Sequence, residues 1–183
     1  MNKYSWIIGL ACSFLIALAS GRADARDIRI KGDFAGTSLT ARFDLNNDGQ
    51  PGDWATWVEK SNLGQSSVQV AIEGVEVPPT GACPADQLET ALVAGSIVNT
   101  FLHTRDQLFI QPTSRVLCFD PVTGAFSVHT IATITGGTGK FAGATGSVDY
   151  RGTGLTPLAD FDPASTQGFF SFTGTVEGTL TLP

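Results

Sequence analysis

ITGGTGKFAGATGSVDYRGTG, residues 134–154, reads as the end of one strand, a glycine-rich turn and the start of the next. Gly136, Gly137, Gly139, Gly143 and Gly146 supply positions of positive φ or close backbone approach, where a Cβ is costly. Phe141 and Ala142 are apolar within this otherwise polar turn, so the turn is expected to tuck them over an open barrel end. Lys140 after a glycine run also raises a phosphate-cradle reading. That pattern needs four residues between its first glycine and Gly-Lys-Ser/Thr, and then a helix. Here Gly139-Lys140 is followed by Phe141 and by residues of strand character, so the turn reads as structural.

The same alternation of apolar and polar residues runs outward from this stretch. Phe170, Phe172, Gly174, Val176, Gly178, Leu180 and Leu182 share one parity, and Ser171, Thr173, Thr175, Glu177, Thr179 and Thr181 the other. The unbroken period of two predicts a strand with one buried and one wet face, and its length of about 13 residues predicts curvature around a barrel. Further strands are expected around Ile28 and Ile30, over Leu39–Leu45, Trp54–Lys60, Val68–Ile72, Ala94–His103, Gln107–Gln111, Arg115–Phe119 and Phe126–Ile134. Gly74–Asp86, with Pro78-Pro79 and Gly81, is expected as a loop, and Asp120–Gly124 as a hairpin turn. Helical spacing is confined to Asp86–Val93, where a turn or two is expected. About eight strands with short turns and no crossover helices predict an all-β fold, an antiparallel eight-stranded barrel, with a β-sandwich as the alternative.

The glycine turn followed by a Gly-punctuated strand resembles the strand–turn–strand core of allene oxide cyclases and plant dirigent proteins. Both are eight-stranded antiparallel barrels with an apolar lumen, often trimeric. The turn is most similar to that of a group of bacterial exported proteins of unassigned role, with which the chain also shares Cys118-Phe119-Asp120 and Glu177-Gly178-Thr179. The likeness covers a third to a half of the chain and is carried by turn residues, so it implies a fold and transfers no catalytic residue.

The amino terminus reads as a secretory signal. Met1-Asn2-Lys3 is basic, Trp6–Ala19 is almost continuously apolar, and Ala23-Asp24-Ala25 is a small-x-small cleavage site. Residues 1–25 are therefore expected to be a signal peptide, with cleavage after Gly21 as the second choice, and residues 26–183 a single domain. Cys12 after Leu10-Ala11 offers a lipoprotein alternative, against which Gly9 stands where a branched residue is usual. The apolar run is short for a membrane span, and none is expected later. The exported chain is placed in the periplasm or outside the cell. Removal of Lys3, Arg22 and Asp24 from 11 Lys+Arg and 17 Asp+Glu leaves 9 against 16, a formal net charge of −7. So few, scattered cations exclude a nucleic-acid footprint. Cys83 and Cys118, with 34 residues between them, are expected to form a disulfide that stabilises the fold by about 3–4 kcal/mol.

Chemistry has one sequence candidate. Asp44, Asn46, Asp48 and Gly49 reproduce the first half of a calcium loop, with Gln50 as a further oxygen and Asp53 standing in for the absent glutamate at position 12, which is Ala55. The competing reading is an Asx-rich hairpin turn. His103 and His129, the two histidines, lack partners at metal or nucleophile spacing, and Gly-x-Ser-x-Gly is absent. His129 falls on the polar face of its strand, and His103 beside a turn. Asp106, Asp149 and Glu177 would be acid or base candidates only if they pointed inward, and Asp149 and Glu177 read as outward. Trp54, Trp57 and Phe101 are lumen or rim candidates, with core packing the ordinary alternative.

Three functional readings follow. The first is a non-enzymatic exported barrel that binds a small apolar ligand or assembles as a homo-oligomer. The second is an isomerase or cyclase acting on a lipid-like substrate. The third is a structural or adhesion module stiffened by calcium, the one cofactor the sequence suggests.

Overall fold

The computed structural model describes residues 25–41, 44–47, 49, 52–156 and 169–183; residues 1–24 of the expected signal peptide lie outside this set. Among the described residues there are eight strands: β1 (Arg26–Ala41), β2 (Gly52–Ser61), β3 (Gly64–Val77), β4 (Leu88–Phe101), β5 (Gln107–Phe119), β6 (Ala125–Gly137), β7 (Thr145–Leu155) and β8 (Phe169–Leu182). Each pairs antiparallel with the next, and β1 pairs with β8 from Arg26↔Leu182 to Leu39↔Phe169, closing the barrel. Closure excludes the sandwich. Among the described residues no helix is long and apolar enough to cross a membrane.

Several element boundaries differ from those the pattern predicts. The two strands expected within residues 28–45 are one, β1, because Leu39 continues the pairing begun at Arg26. Gln107–Gln111 and Arg115–Phe119 are likewise one strand, with a bulge between Pro112 and Ser114 that lets pairing survive the proline. β3 runs on to Val77 past a second bulge at Glu73/Gly74, which shortens the expected loop. The helical turn expected at Asp86–Val93 is replaced by β4, whose Leu88–Ala91 segment is paired with β3 and β5.

Alternation decides which residues face inward. In β8, Val176 and Leu180 are buried while Thr175, Glu177 and Thr179 are exposed, as the sequence parity predicts. Glycines on the inward parity make room for rings: a Cβ at Gly174 would run into the Phe34 ring and the Arg151 carbonyl. Phe34, Trp57, Tyr150 and Phe172, from β1, β2, β7 and β8, form a ring cluster with centroids 5.3–6.0 Å apart.

The end of the barrel at which β1 begins and β8 finishes is closed by the glycine turn. Gly139–Phe141 makes one 3₁₀ turn, with no helix after it, and buries Phe141 to 1% exposure against Phe101, centroids 4.7 Å apart. Lys140 lies over both rings instead of facing a phosphate-sized cradle. Positive φ at Gly136, Gly139, Gly143 and Gly146 bends the chain, and Gly137 admits the Gln107 carbonyl and the Phe141 side chain where a Cβ would stand. At the opposite end Cys83 and Cys118 are joined as a disulfide, and Thr80 fastens the same connection by donating its N–H and hydroxyl to Glu89 at 3.1 and 2.6 Å.

If Phe141 is the stopper of that end, Phe141→Ala costs about 3–5 kcal/mol of stability, the range for truncating a buried ring. Guanidinium unfolding checks this; a loss below about 1 kcal/mol would show that the turn carries no core.

Candidate functional site

Three places in the barrel hold chemistry, and the sequence candidates are distributed unevenly among them. On the outer face, His129 on β6 lies 3.1 Å from a carboxylate oxygen of Asp149 on β7, and Arg151 donates to the same carboxylate at 3.0 Å. Burial works against ionising Asp149, and these two partners outweigh it, holding the carboxyl below its ordinary range. Glu177 is also outward, 3.9 Å from Lys31. His103 is exposed in the β4–β5 turn, and Asp106 packs against Gly139. Trp54 is exposed, so of the aromatic candidates Trp57 reaches the lumen and Phe101 its floor.

The calcium-loop expectation falls partly on residues outside the described set. Asp44 accepts from the Asn46 and Gly49 N–H groups at 3.2 and 2.7 Å, an Asx-turn arrangement. Asp53, a further oxygen of that expectation, is the second residue of β2 and lines the lumen cavity, with Oδ2 3.8 Å from Nη2 of Arg115. The alternation Asp53, Ala55, Trp57, Glu59 dictates that direction, since all four stand on one parity of β2. Asp48 and Gln50 lie outside the described residues. Glu73, fully buried, anchors the loop through Leu45 N–H at 2.9 Å, while its Oε1 has no donor. Among the described residues no group of three or more His, Cys, Asp or Glu is placed to hold a metal.

The third place is the lumen. Glu59 on β2 is 2% exposed and accepts from the Asn99 amide of β4 at 3.3 Å. Burial pushes its carboxyl up to about 7, against the opposing effect of neighbouring donors headed by Asn99. The Tyr150 phenol, also buried, is pushed well above its ordinary value by burial and by the nearby Glu59 charge. Beyond this polar layer lies a cavity of about 100 Å³ walled by Phe34, Trp57, Tyr150 and Phe172, with Arg115 and Thr130 on its rim. Glu59 and Asn99 do not line it.

Glu59 and Arg115 are, with Glu73 and Glu89, buried ionisable residues that pattern reading misses. On β2 each parity carries one tryptophan, Trp54 outward and Trp57 inward, so amphipathicity fails to mark the inward face. On β5 the inward set is Leu108, Ile110 and Pro112, and after the bulge Arg115, Leu117 and Phe119. The parity switches, and no sequence signal marks where.

The Glu59 pair gives a pH test. An acid whose folded value lies above its unfolded 4.5 binds a proton that the unfolded chain releases. Its stabilising contribution is present below pH 4.5 and is lost as pH rises through about 7. Glu59→Gln, neutral throughout, is therefore expected to gain about 3 kcal/mol on the wild type between pH 4.5 and 8, from the size of the shift. Asp120 and Asp149, held below their ordinary range, act at lower pH and stay out of this window. Urea unfolding of both proteins across the range measures the difference; parallel profiles would contradict a buried protonated carboxyl. In comparisons with known proteins, neither a family model nor a curated protein matches the chain.

Proposed function

We propose that this barrel is a small-molecule binder that holds a compact apolar ligand in its lumen, as an exported and non-enzymatic protein. The observation that carries the reading is the cavity in the lumen: four rings from four strands pack together along its wall, and Ala55, Val70, Ile72 and Ile97 complete an apolar lining. Its volume of about 100 Å³ exceeds the ~10–15 Å³ one water occupies and falls short of the ~300–1,000 Å³ of drug-sized sites. A single ring or a short aliphatic chain is the class that fits. The resemblance of the glycine turn to apolar-lumen barrels agrees with this.

A second reading, isomerase or cyclase chemistry, is favoured by Glu59, whose carboxyl titrates near neutrality beside Tyr150. Acid–base work needs the carboxyl within reach of the ligand. Glu59 does not line the cavity, and Asp53, the carboxylate that does, stands 3.8 Å from the Arg115 guanidinium, an arrangement that supports binding over turnover.

Ligand-observed NMR with toluene tests the binding reading. Saturable binding is expected for the wild type, and its loss in Ala55→Phe, which places a ring where the cavity is walled by a methyl. Absence of wild-type binding, or binding unchanged in a folded Ala55→Phe variant, would overturn the reading.

A further inference from the structure

The cavity is not uniformly apolar. The Arg115 side chain is 9% exposed, lines the cavity and makes no hydrogen bond among the described residues. Its charge partner, Asp53, approaches to 3.8 Å, beyond hydrogen-bond range, and is itself 27% exposed. A guanidinium carries five N–H donors in a planar fork, and those of Arg115 meet no side-chain or backbone acceptor among the described residues. Arg115 stands directly opposite Thr130 on β6, which stands directly opposite Tyr150 on β7. All three side chains line the cavity, so a guanidinium, a hydroxyl and a phenol ring follow one another along a band of its wall.

We infer that the ligand is a small monocarboxylate, whose carboxylate docks on the Arg115 guanidinium beside the Thr130 hydroxyl while its ring or short chain lies among Phe34, Trp57, Tyr150 and Phe172. The inference rests on the lumen-binding reading and adds the chemical class. A planar carboxylate matches the fork of an arginine two bonds at a time. The neighbouring Asp53 carboxylate sets the charge limit: one negative group can be balanced by the arginine, whereas a dianion such as a phosphate monoester meets repulsion at close range. The apolar part is limited by the same cavity volume, which takes one ring.

The test compares benzoate with its neutral isostere benzamide by isothermal titration, with toluene as the probe of the lumen alone. Benzoate is expected to bind the wild type at least about ten-fold more tightly than benzamide, the low end of what charge-assisted hydrogen bonds contribute. Arg115→Met is expected to erase that preference while retaining toluene. Arg115→Lys, which keeps the charge and loses the fork, is expected to retain part of it and serves if the methionine variant fails to fold. Asp53→Asn removes the competing carboxylate and is expected to tighten benzoate without affecting toluene. Equal binding of benzoate and benzamide, or a preference unchanged in both folded arginine variants, overturns the carboxylate assignment and leaves the lumen reading standing, as does binding of toluene alone. Failure of all three probes to bind the wild type overturns both.

Discussion

The seam between β1 and β8 is the constraint on which the rest of the structure depends. It joins the two ends of the sheet along nearly all of β1, from Arg26 opposite Leu182 to Leu39 opposite Phe169. Closing the sheet satisfies the last row of backbone donors and acceptors and removes two exposed edges. It also fixes an inside, because every second residue of every strand must then face a common lumen. The burial of Val176 and Leu180 beside exposed threonines, and the need for glycine opposite the Phe34 ring, are consequences of that geometry.

A closed lumen has to be filled or left open, and this one is treated differently along its length. At the end where β1 begins and β8 finishes, Phe141 and Phe101 are buried against each other with ring centroids 4.7 Å apart. In the middle a buried carboxyl is held by an amide beside a phenol, a polar layer sustained by protonation near neutral pH. Further along, the rings meet edge to face and tilted, so that they line a space without occupying it. A buried arginine in such a wall carries a desolvation cost that Asp53 at 3.8 Å offsets only in part. The proposed restriction of the ligand to carboxylates follows from that imbalance.

The sequence was most legible where local chemistry and global geometry agree. The residues of β8 alternate without interruption, and the glycine turn carries one ring that has to be buried somewhere, so both the barrel and its stopper can be read directly. The disulfide is expected from an even pair of cysteines, and the pair is joined. Legibility fails at bulges. One extra residue at Pro112–Ser114 moves the inward face of β5 from even to odd numbers and carries Arg115 into the lumen. β2 hides Glu59 for another reason, since a tryptophan on each face removes the contrast that a moment relies on. Asp53 shows the reach of strand parity: its place on β2 brings it 3.8 Å from Arg115, a partner that residue type and spacing do not reveal.

Native mass spectrometry of the protein purified from its own host tests the central claim, an occupied lumen, most directly. The account expects each mature subunit to carry a bound species of roughly one to two hundred daltons, the size of one ring with a short substituent, and to release it on gentle activation or on filling the lumen with Ala55→Phe. A subunit at the bare mass of its chain, both as isolated and after incubation with small aromatic acids, would contradict it.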